Sequence, residues 1–366
     1  MAEQRVVSGN IFDLFQEIVK DTGLSRIFLI CGKNVGTTPI GEQFVSDKHI
    51  AAVFQDFEPN PSYESVEKAV SLFQDKQCDG ILAIGGGSAM DVGKCVKAFA
   101  GMNKELSYLQ QQIVENRIPY YAVPTTAGTG SEATHFAVIY YKGEKQSVED
   151  KSLIPEVVFM ESLFLSTLPL YQKKVTILDA VCHSVESFWS VHATEESRRY
   201  ARQSLEIILK NYNRYLAGDG EAAEFMLSAS YFAGKAINIT KTTAAHAMCY
   251  KLTKLYDIPH GQAVALCLSY VWEQTWLQAG KDNNKGLIEC LQQIAEIWGC
   301  SSVEEAIRKY RKVLKQLAMQ ADMNVKEKDL EILTQSVNTD RLKNHPVAFS
   351  RETIREMYAD ILKRGI

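Results

Sequence analysis

Four side chains of the kind that bind divalent metals stand in two pairs between residues 179 and 260. Asp179 and His183 occur in LDAVCH, and His246 and His260 bound the stretch HAMCYKLTKLYDIPH. The first pair is spaced i, i+4 in a segment without Gly or Pro that has helical apolar spacing. We therefore expect both side chains to project from one face of a helix.

The second pair cannot lie on one straight helix. Its histidines are fourteen residues apart, which is about 21 Å along an unbroken helix. Asp257 and Pro259 are poor residues for a helix interior, and Gly261 frees the backbone after the second histidine. The sequence predicts a turn here that aims His260 back toward His246.

One carboxylate with three imidazoles suits a borderline divalent cation. Iron(II) and zinc both accept such ligands, and both keep positions for water or a substrate oxygen. The predicted metal ligands are therefore Asp179, His183, His246 and His260.

Two loops rich in small residues follow apolar, strand-like runs. In GILAIGGGSAMDVGK the run 81–84 enters Gly85-Gly86-Gly87-Ser88, and a helix is predicted next. Glycines let the main chain approach a pyrophosphate, and the helix N-terminus favours an anion. The spacing matches neither GxGxxG nor GxxxxGK(S/T), so a tight strand-to-helix turn remains the alternative.

The second loop, in YYAVPTTAGTGSEAT, carries hydroxyl groups that could bind phosphate or ribose oxygens. They belong to Thr125, Thr126, Thr129 and Ser131. Two such loops in one sheet favour a dinucleotide site over two unrelated turns.

The elements that must position these residues change character along the chain. Up to about residue 168, strand-like and helix-like segments alternate, which predicts an α/β domain with a doubly wound parallel sheet and ligands at the carboxyl ends of its strands. From residue 169 to 366 the apolar periodicity is helical. We therefore expect a dinucleotide-binding domain (1–168), a helical metal-binding domain (169–366) and a reaction site in the cleft between them.

Composition narrows the class of protein. The 366 residues are 46% hydrophobic and carry a net charge of −4, which gives no reason to expect nucleic acid or an anionic membrane as a partner. The eight cysteines form no CxxC pair, and the N-terminus lacks the pattern of a secretory signal. We expect a cytoplasmic protein with a small-molecule substrate, and a homodimer is one option for its assembly.

Together these motifs resemble the iron-dependent (group III) alcohol dehydrogenases, whose fold is shared with glycerol dehydrogenase and dehydroquinate synthase. The similarity runs through PNP at 59–61, GGGSAMDVGK, PTTAGTGSEAT, DAVCHSVESFWS and HAMCYKLTKLYDIPHG. It implies iron(II), or zinc as an occasional occupant, on the four predicted ligands. It also implies two groups of cofactor residues: Gly86, Gly87, Ser88 and Asp91 toward the pyrophosphate and nicotinamide; and Asn60, Thr125, Thr126, Ser131 and Lys145 toward adenosine, ribose and phosphates.

The chain departs from the family at three places. Gly32, followed by Lys33, stands where the family often has a ribose-binding aspartate, which favours NADP(H) over NAD(H). Tyr250 stands where many relatives have a histidine, so the proton donor stays open among Tyr250, a ribose hydroxyl and water. Lys241 precedes His246 by five residues, about 140° away on a helix, and could bind an anionic end of the substrate or be a surface cation.

The resemblance and these departures lead to a functional hypothesis. We expect a metal-dependent NAD(P)H oxidoreductase that interconverts a small aldehyde and its primary alcohol, with phosphonoacetaldehyde reductase-like members the most similar. The alternatives are a reductase of neutral short-chain aldehydes, a lyase related to dehydroquinate synthase, and a nucleotide-binding protein without catalysis.

Overall fold

The computed structural model describes residues 4–319, 327–337 and 342–364. The chain divides into two compact units, Met1–Leu168 and Pro169–Ile366, here called the N-terminal and C-terminal units. The predicted fold class is confirmed, because a parallel α/β sheet is followed by helices.

The N-terminal unit is built on a six-stranded parallel sheet in the order β1-β8-β5-β4-β2-β3. A separate antiparallel hairpin is formed by β6 and β7. The strands and helices of this unit are β1 (Arg5–Ser8), α1 (Ile11–Thr22), β2 (Ile27–Cys31), α2 (Pro39–Val45), β3 (Ile50–Phe54), α3 (Tyr63–Asp75), β4 (Gly80–Gly85), α4 (Gly87–Phe99), β5 (Tyr120–Pro124), β6 (Phe136–Tyr141), β7 (Glu144–Glu149), β8 (Val157–Met160) and α5 (Leu163–Ser166).

Both faces of the sheet are covered, as the unbroken apolar strands predict. Successive residues of β2 enter different cores: Phe28 packs with residues of α3 and α4, whereas Leu29 packs with residues of α1 and α2. The predicted cap of α3 is present, since Ser62 Oγ accepts a hydrogen bond from Ser65 N at 3.1 Å. The strands β1 and β8 and the hairpin were not predicted.

The described part of the C-terminal unit is helical. Its helices are α6 (Leu170–Trp189), α7 (Glu195–Leu216), α8 (Gly220–Thr240), α9 (Ala244–Tyr256), α10 (His260–Lys281), α11 (Lys285–Ile297), α12 (Val303–Gln316), α13 (Glu327–Ser336) and α14 (Arg351–Arg364). Every residue of α6 from Val175 to Trp189 is buried, which makes it the central helix of this unit. No helix among the described residues is both long enough and apolar enough to cross a membrane.

Candidate functional site

The first predicted pair of metal ligands lies on the buried part of α6. Asp179 and His183 are one helical turn apart, and Asp179 Oδ1 lies 3.9 Å from His183 Nε2. Both side chains are more than nine-tenths buried. A buried carboxylate beside an imidazole is expensive to desolvate, so this pair needs further polar partners.

The second pair supplies those partners from two different helices. Helix α9 ends at Tyr256, Asp257 takes a left-handed conformation with φ of 51°, and Pro259 precedes His260 at the start of α10. The helix break that the sequence predicts is therefore present. His246 Nε2 and His260 Nε2 lie 3.6 Å and 3.8 Å from Asp179 Oδ1.

The three imidazoles thus approach a single carboxylate oxygen, Asp179 Oδ1. The ligand atoms of Asp179, His246 and His260 all lie within 4.8 Å of one another, and the ring of His183 stacks on His246 with centroids 4.7 Å apart. Asp179 Oδ1 and His246 Nε2 are buried and have no hydrogen-bond partner among the described residues. One carboxylate oxygen and neighbouring imidazole nitrogens fit a divalent cation such as iron(II) or zinc, which would satisfy both atoms.

Close packing of α10 against α6 brings His260 to this point. A methyl group built at Gly261 would lie 2.1 Å from the carbonyl oxygen of Val175 and 3.3 Å from Asp179 Cβ. No residue with a side chain fits there without moving one of the helices. Gly261, which the sequence marked only as a source of backbone freedom, is therefore a packing requirement of the site.

Sequence reasoning missed Glu186, a fully buried carboxylate behind His246. Its Oε2 contacts His246 Nδ1, and its Oε1 accepts hydrogen bonds from Thr243 Oγ1 at 2.7 Å and from the N–H of Ala245 at 2.9 Å. Glu186 thereby caps the N-terminus of α9 from a neighbouring helix. It also fixes the ring of His246 so that Nε2 faces Asp179, as carboxylates do for metal-binding histidines.

A sequence signal for Glu186 does exist. Glu186 follows Asp179 by seven residues and His183 by three, so all three side chains lie on one face of α6. Its acceptor role depends on contact with a residue sixty positions later, which no local pattern reveals.

The buried charges of this centre stabilise one another. Burial raises the pKa of Asp179, but the imidazoles of His183, His246 and His260 outweigh it, and the net pKa is well below its usual range. Burial lowers the pKa of His246, but Glu186 and Asp179 raise it to about 9. The carboxylates therefore stay ionised, the state in which they bind a cation.

The two glycine-bearing loops lie side by side in the N-terminal unit. Their strands β4 and β5 are neighbours, with Gly85 in register with Pro124, and Thr125 N donates to Gly85 O at 2.9 Å. A methyl group built at Gly86 would lie 3.1 Å from Thr126 Oγ1. One built at Gly87 would lie 3.0 Å from Thr129 Cγ2.

A side chain at Gly86 or Gly87 would therefore require Thr126 or Thr129 to shift by a few tenths of an ångström. Both loops lie at the carboxyl ends of parallel strands, and α4 begins within the first of them at Gly87. That is the location at which open α/β sheets bind nucleotide phosphates.

Comparison with known proteins identifies the family. Residues 4–162 match the family model described as iron-containing alcohol dehydrogenase, and residues 174–362 match the C-terminal model of the Fe-containing alcohol dehydrogenase family. The chain belongs to the iron-containing alcohol dehydrogenase family. The members of that family are oxidoreductases.

This chain spans different shares of the length of its relatives. The chain is 33% identical to aldehyde-alcohol dehydrogenase 2 of Entamoeba histolytica over 60% of this chain, but it spans only 27% of that protein. It is 26% identical to the NAD-dependent methanol dehydrogenase of Bacillus methanolicus over 88% of each chain. A crystal structure of sulfoacetaldehyde reductase from Bifidobacterium kashiwanohense in complex with NAD+ matches with a TM-score of 0.89 and 25% identity, over 99% of this chain and 97% of that one.

Five further residues of this family member are predicted to contact the cofactor: Asn60, Ser88, Asp91, Ser131 and Lys145. Asn60 has a positive φ of 60°, and its N–H donates to Ser88 Oγ at 3.3 Å. Ser131 Oγ donates to Asp91 Oδ1 at 3.0 Å, so these two predicted contacts face each other. Burial raises the pKa of Asp91, and the charge of Lys145, on β7, is among those that oppose the rise.

Gly32 and Lys33 follow the last residue of β2. Gly32 O accepts a hydrogen bond from Gln55 Nε2 at 3.3 Å, and a methyl group built at Gly32 would meet nothing within 4 Å. The side chain of Lys33 is exposed. There is room at the end of β2 for either a carboxylate side chain or a ligand phosphate.

The expectation of a shared helix for Lys241 and His246 is wrong. Helix α8 ends at Thr240, α9 begins at Ala244, and Lys241 is an exposed residue in the connection with φ of 57°. The connection is held by Asn344, whose Nδ2 donates to Thr242 O at 3.2 Å, and by the bonds from Thr243 to Glu186. Helical angles therefore say nothing about where Lys241 points.

Tyr250 lies beside one of the metal ligands. Its half-buried ring stacks on His260 with centroids 5.7 Å apart and an interplanar angle of 19°. Cys249 Sγ lies 3.5 Å from Nδ1 of the same histidine. Tyr250 is therefore near the candidate metal centre, and its role as a proton carrier stays a prediction.

Proposed function

We propose that this chain is a metal-dependent NAD(P)H oxidoreductase that interconverts a small aldehyde and its primary alcohol. The observation that carries the proposal is the approach of three imidazole Nε2 atoms to within 3.6–3.9 Å of the single atom Asp179 Oδ1. Membership in a family of oxidoreductases supports a role for that arrangement in aldehyde or alcohol chemistry.

Asp179, His183, His246 and His260 would hold the metal, with iron(II) as the main occupant and zinc as an occasional one. The bound metal supplies Lewis-acid polarisation of a carbonyl oxygen, and the nicotinamide supplies the hydride. Glu186 keeps the proton of His246 on Nδ1, which leaves Nε2 free to bind the metal. The burial of Asp179 and His246 limits the access of water, so electrostatic interactions at the site are only weakly screened.

The dinucleotide would lie on the two glycine-bearing loops. Its pyrophosphate would meet the backbone at Gly86 and Gly87, where α4 begins, and the hydroxyls of the second loop would contact the phosphate and ribose oxygens. Support comes from the tight packing of these loops at the ends of β4 and β5.

We further propose that NADP(H) is preferred over NAD(H). The end of β2 carries Gly32 and the cation Lys33, with open space around Gly32. A carboxylate at this position would repel a 2′-phosphate, and a lysine attracts it. Named relatives use both cofactors, as an NAD-dependent methanol dehydrogenase and an NADPH-dependent butanol dehydrogenase illustrate.

Gly32→Asp tests this preference. The substitution fits the open space and should shift the ratio of kcat/KM for NADPH over NADH toward NADH by about tenfold or more, the equivalent of about 1.4 kcal/mol. Gly36→Ala, in the loop after β2, is the control and should leave the ratio unchanged. An unaltered ratio in Gly32→Asp would mean that another residue selects the cofactor.

For the substrate we propose a small aldehyde with an anionic end, with phosphonoacetaldehyde, reduced to 2-hydroxyethylphosphonate, as the specific candidate. Lys241 would bind the phosphonate, and it lies in the connection that leads into the helix of His246. The similar sulfoacetaldehyde reductase acts, by its name, on another aldehyde with an acidic group. The names of other relatives, such as 1,3-propanediol dehydrogenase, favour neutral short-chain substrates as the second candidate.

The deciding experiment measures nicotinamide absorbance at 340 nm with purified, Fe(II)-loaded protein and a panel of aldehydes of different charge. Turnover of any aldehyde supports the oxidoreductase, and dinucleotide binding without turnover of the panel contradicts it. Lys241→Ala should raise KM for phosphonoacetaldehyde by about tenfold while leaving KM for propanal unchanged, because only the first substrate offers a charge. Lys281→Ala, at the exposed end of α10, is the matched control, and equal effects on both aldehydes would remove Lys241 from the substrate site.

A further inference from the structure

Lys94 is a fully buried lysine on α4, two helical turns after the first glycine-bearing loop. Its Nζ lies within hydrogen-bond distance of four oxygens: Ser131 O at 2.6 Å, Ser131 Oγ at 3.0 Å, Thr134 Oγ1 at 2.8 Å and Phe136 O at 2.8 Å. All four belong to one short stretch of chain, residues 131–136. A single ammonium group therefore contacts three residues at the end of the second loop.

Burying this charge is costly, so it needs a compensating role. Burial lowers the pKa of Lys94 to about 8, while the nearby carboxyls of Asp91 and Glu132 oppose the fall. An apolar side chain would avoid the desolvation cost but would leave the oxygens of Ser131, Thr134 and Phe136 without this donor. Lys94 therefore stabilises one conformation of residues 131–136, in which all four oxygens face its ammonium group.

That conformation bears directly on the candidate dinucleotide loops. The second loop is attached at its start by β5 and by the bond from Thr125 N to Gly85 O. Its other end is attached to α4 by Lys94 and by Ser131 Oγ, which also donates to Asp91. Between these two attachments lie the threonines that pack on the glycines of the first loop.

We propose that Lys94 is a positioning residue for dinucleotide binding, which holds Thr126 and Thr129 against the glycines of the first loop by fixing residues 131–136 to α4. The inference rests on the proposed function, since it assigns these loops to a dinucleotide. It also changes the expected role of Ser131. The hydroxyl of Ser131 serves Lys94 and Asp91 inside the protein, and the cofactor meets the loop at other residues.

Lys94→Met tests the proposal in the full-length, Fe(II)-loaded protein. The dissociation constant for NADPH, measured by isothermal titration calorimetry, should rise by roughly 10- to 100-fold, because misplacement by about 1 Å has effects of that size. The KM for the dinucleotide should rise in parallel, while kcat at saturating dinucleotide and the metal affinity of the C-terminal unit stay within about threefold of wild type. A purely structural defect would instead lower the yield of folded protein and the metal content together.

The chain offers a close control on the same helix. Lys97 is also a buried lysine of α4, but its Nζ donates to Ile118 O and lies 3.9 Å from Glu156 Oε1, away from residues 131–136. Lys97→Met removes a buried ammonium of equal size and should leave NADPH affinity unchanged. Equal weakening by Lys94→Met and Lys97→Met would overturn the proposal.

A milder variant decides the matter if Lys94→Met does not fold. Thr134→Val removes one oxygen acceptor of Lys94 and keeps the ammonium and the shape of the side chain. It should raise the dissociation constant for NADPH severalfold, and wild-type affinity in a folded Thr134→Val protein would overturn the proposal. Wild-type protein that binds no dinucleotide at all would instead contradict the proposed function.

Discussion

The two units of the molecule treat buried carboxyl groups in opposite ways. In the N-terminal unit, Glu132 is almost fully buried, and burial raises its pKa to about 7, although Lys94 opposes the rise. In the C-terminal unit, Asp179 and Glu186 are buried as deeply, yet burial is outweighed by neighbouring imidazoles and both pKa values are lowered. Burial alone therefore does not decide the charge of a carboxyl group; its neighbours do.

The difference between the pKa values of these carboxyl groups indicates where a cation is expected. Asp179 and Glu186 remain ionised because histidines surround them, and the same histidines can exchange protons for a metal ion. Glu132 has an Oε1 without a hydrogen-bond partner among the described residues, and its raised pKa favours the neutral form at acidic pH. We accordingly propose the metal for the C-terminal unit and a structural role for Glu132 in the second glycine-bearing loop.

The largest effect is expected when an imidazole is deleted from the metal centre. In His260→Ala, Asp179 loses one of the groups that lower its pKa, and the metal loses a ligand. We expect aldehyde reduction to fall by on the order of 10³-fold, since Lewis-acid stabilisation is worth several kcal/mol. Metal analysis, circular dichroism and the assay at 340 nm would be run on the same preparation.

His192→Ala provides the matched control for that variant. His192 is an exposed histidine of the same unit, and its substitution should change neither metal content nor rate. Full activity of folded His260→Ala, with metal analysed in the same sample, would reject the ligand assignment.

A smaller effect is expected from Glu186→Gln. The amide keeps the size of the carboxylate but removes the charge that fixes His246 and that, together with Asp179, raises its pKa to about 9. Metal affinity should fall by roughly 10- to 100-fold, the usual range for a carboxylate that supports a metal-binding histidine. Competition with a chromophoric chelator measures this without reference to turnover.

Glu206→Gln, at an exposed position of α7, controls for the change of charge. If both variants bound metal as tightly as wild type, the lowered pKa of Glu186 would reflect ion pairing alone. The difference in carboxyl pKa between the two units would then not indicate a metal site.

Sequence patterns predicted the parts of the molecule that local periodicity controls. The alternation of elements up to Gly85, the facing of Asp179 and His183, and the helix break before His260 all follow from propensities within a few residues. The short strand β1 and the hairpin β6–β7 were missed because four to six residues with mixed burial carry little periodic signal.

The unpredicted polar contacts share a different cause. Glu186 meets His246 across sixty positions, and Lys94 meets Ser131 across thirty-seven. Each is a charged residue on a largely buried helix, where sequence alone suggests an exposed face. Only the packing of distant segments turns them inward. The helical angle assigned to Lys241 is wrong because α8 ends at Thr240 and Lys241 lies outside both α8 and α9.

The smallest predicted effect is a change in how stability depends on pH. Burial raises the pKa of Glu132 in the folded chain to about 7 from its ordinary value of 4.5, so between these pH values the folded chain keeps a proton that the unfolded chain has released. Its contribution to the free energy of unfolding should therefore be full below pH 4.5 and be lost as pH rises toward 7, by at most about 1.4 kcal/mol per pH unit. Glu132→Gln imitates the protonated form and should flatten this dependence, whereas Glu144→Gln, at an exposed position of β7, should not. Denaturant unfolding at several pH values, followed by far-UV circular dichroism, measures how the free energy of unfolding depends on pH. Tryptophan fluorescence serves as an internal reference for the C-terminal unit, because all four tryptophans lie there. A Glu132→Gln profile parallel to wild type would mean that the carboxyl is ionised in the folded protein, and the contrast between the two units would then rest on the metal centre alone.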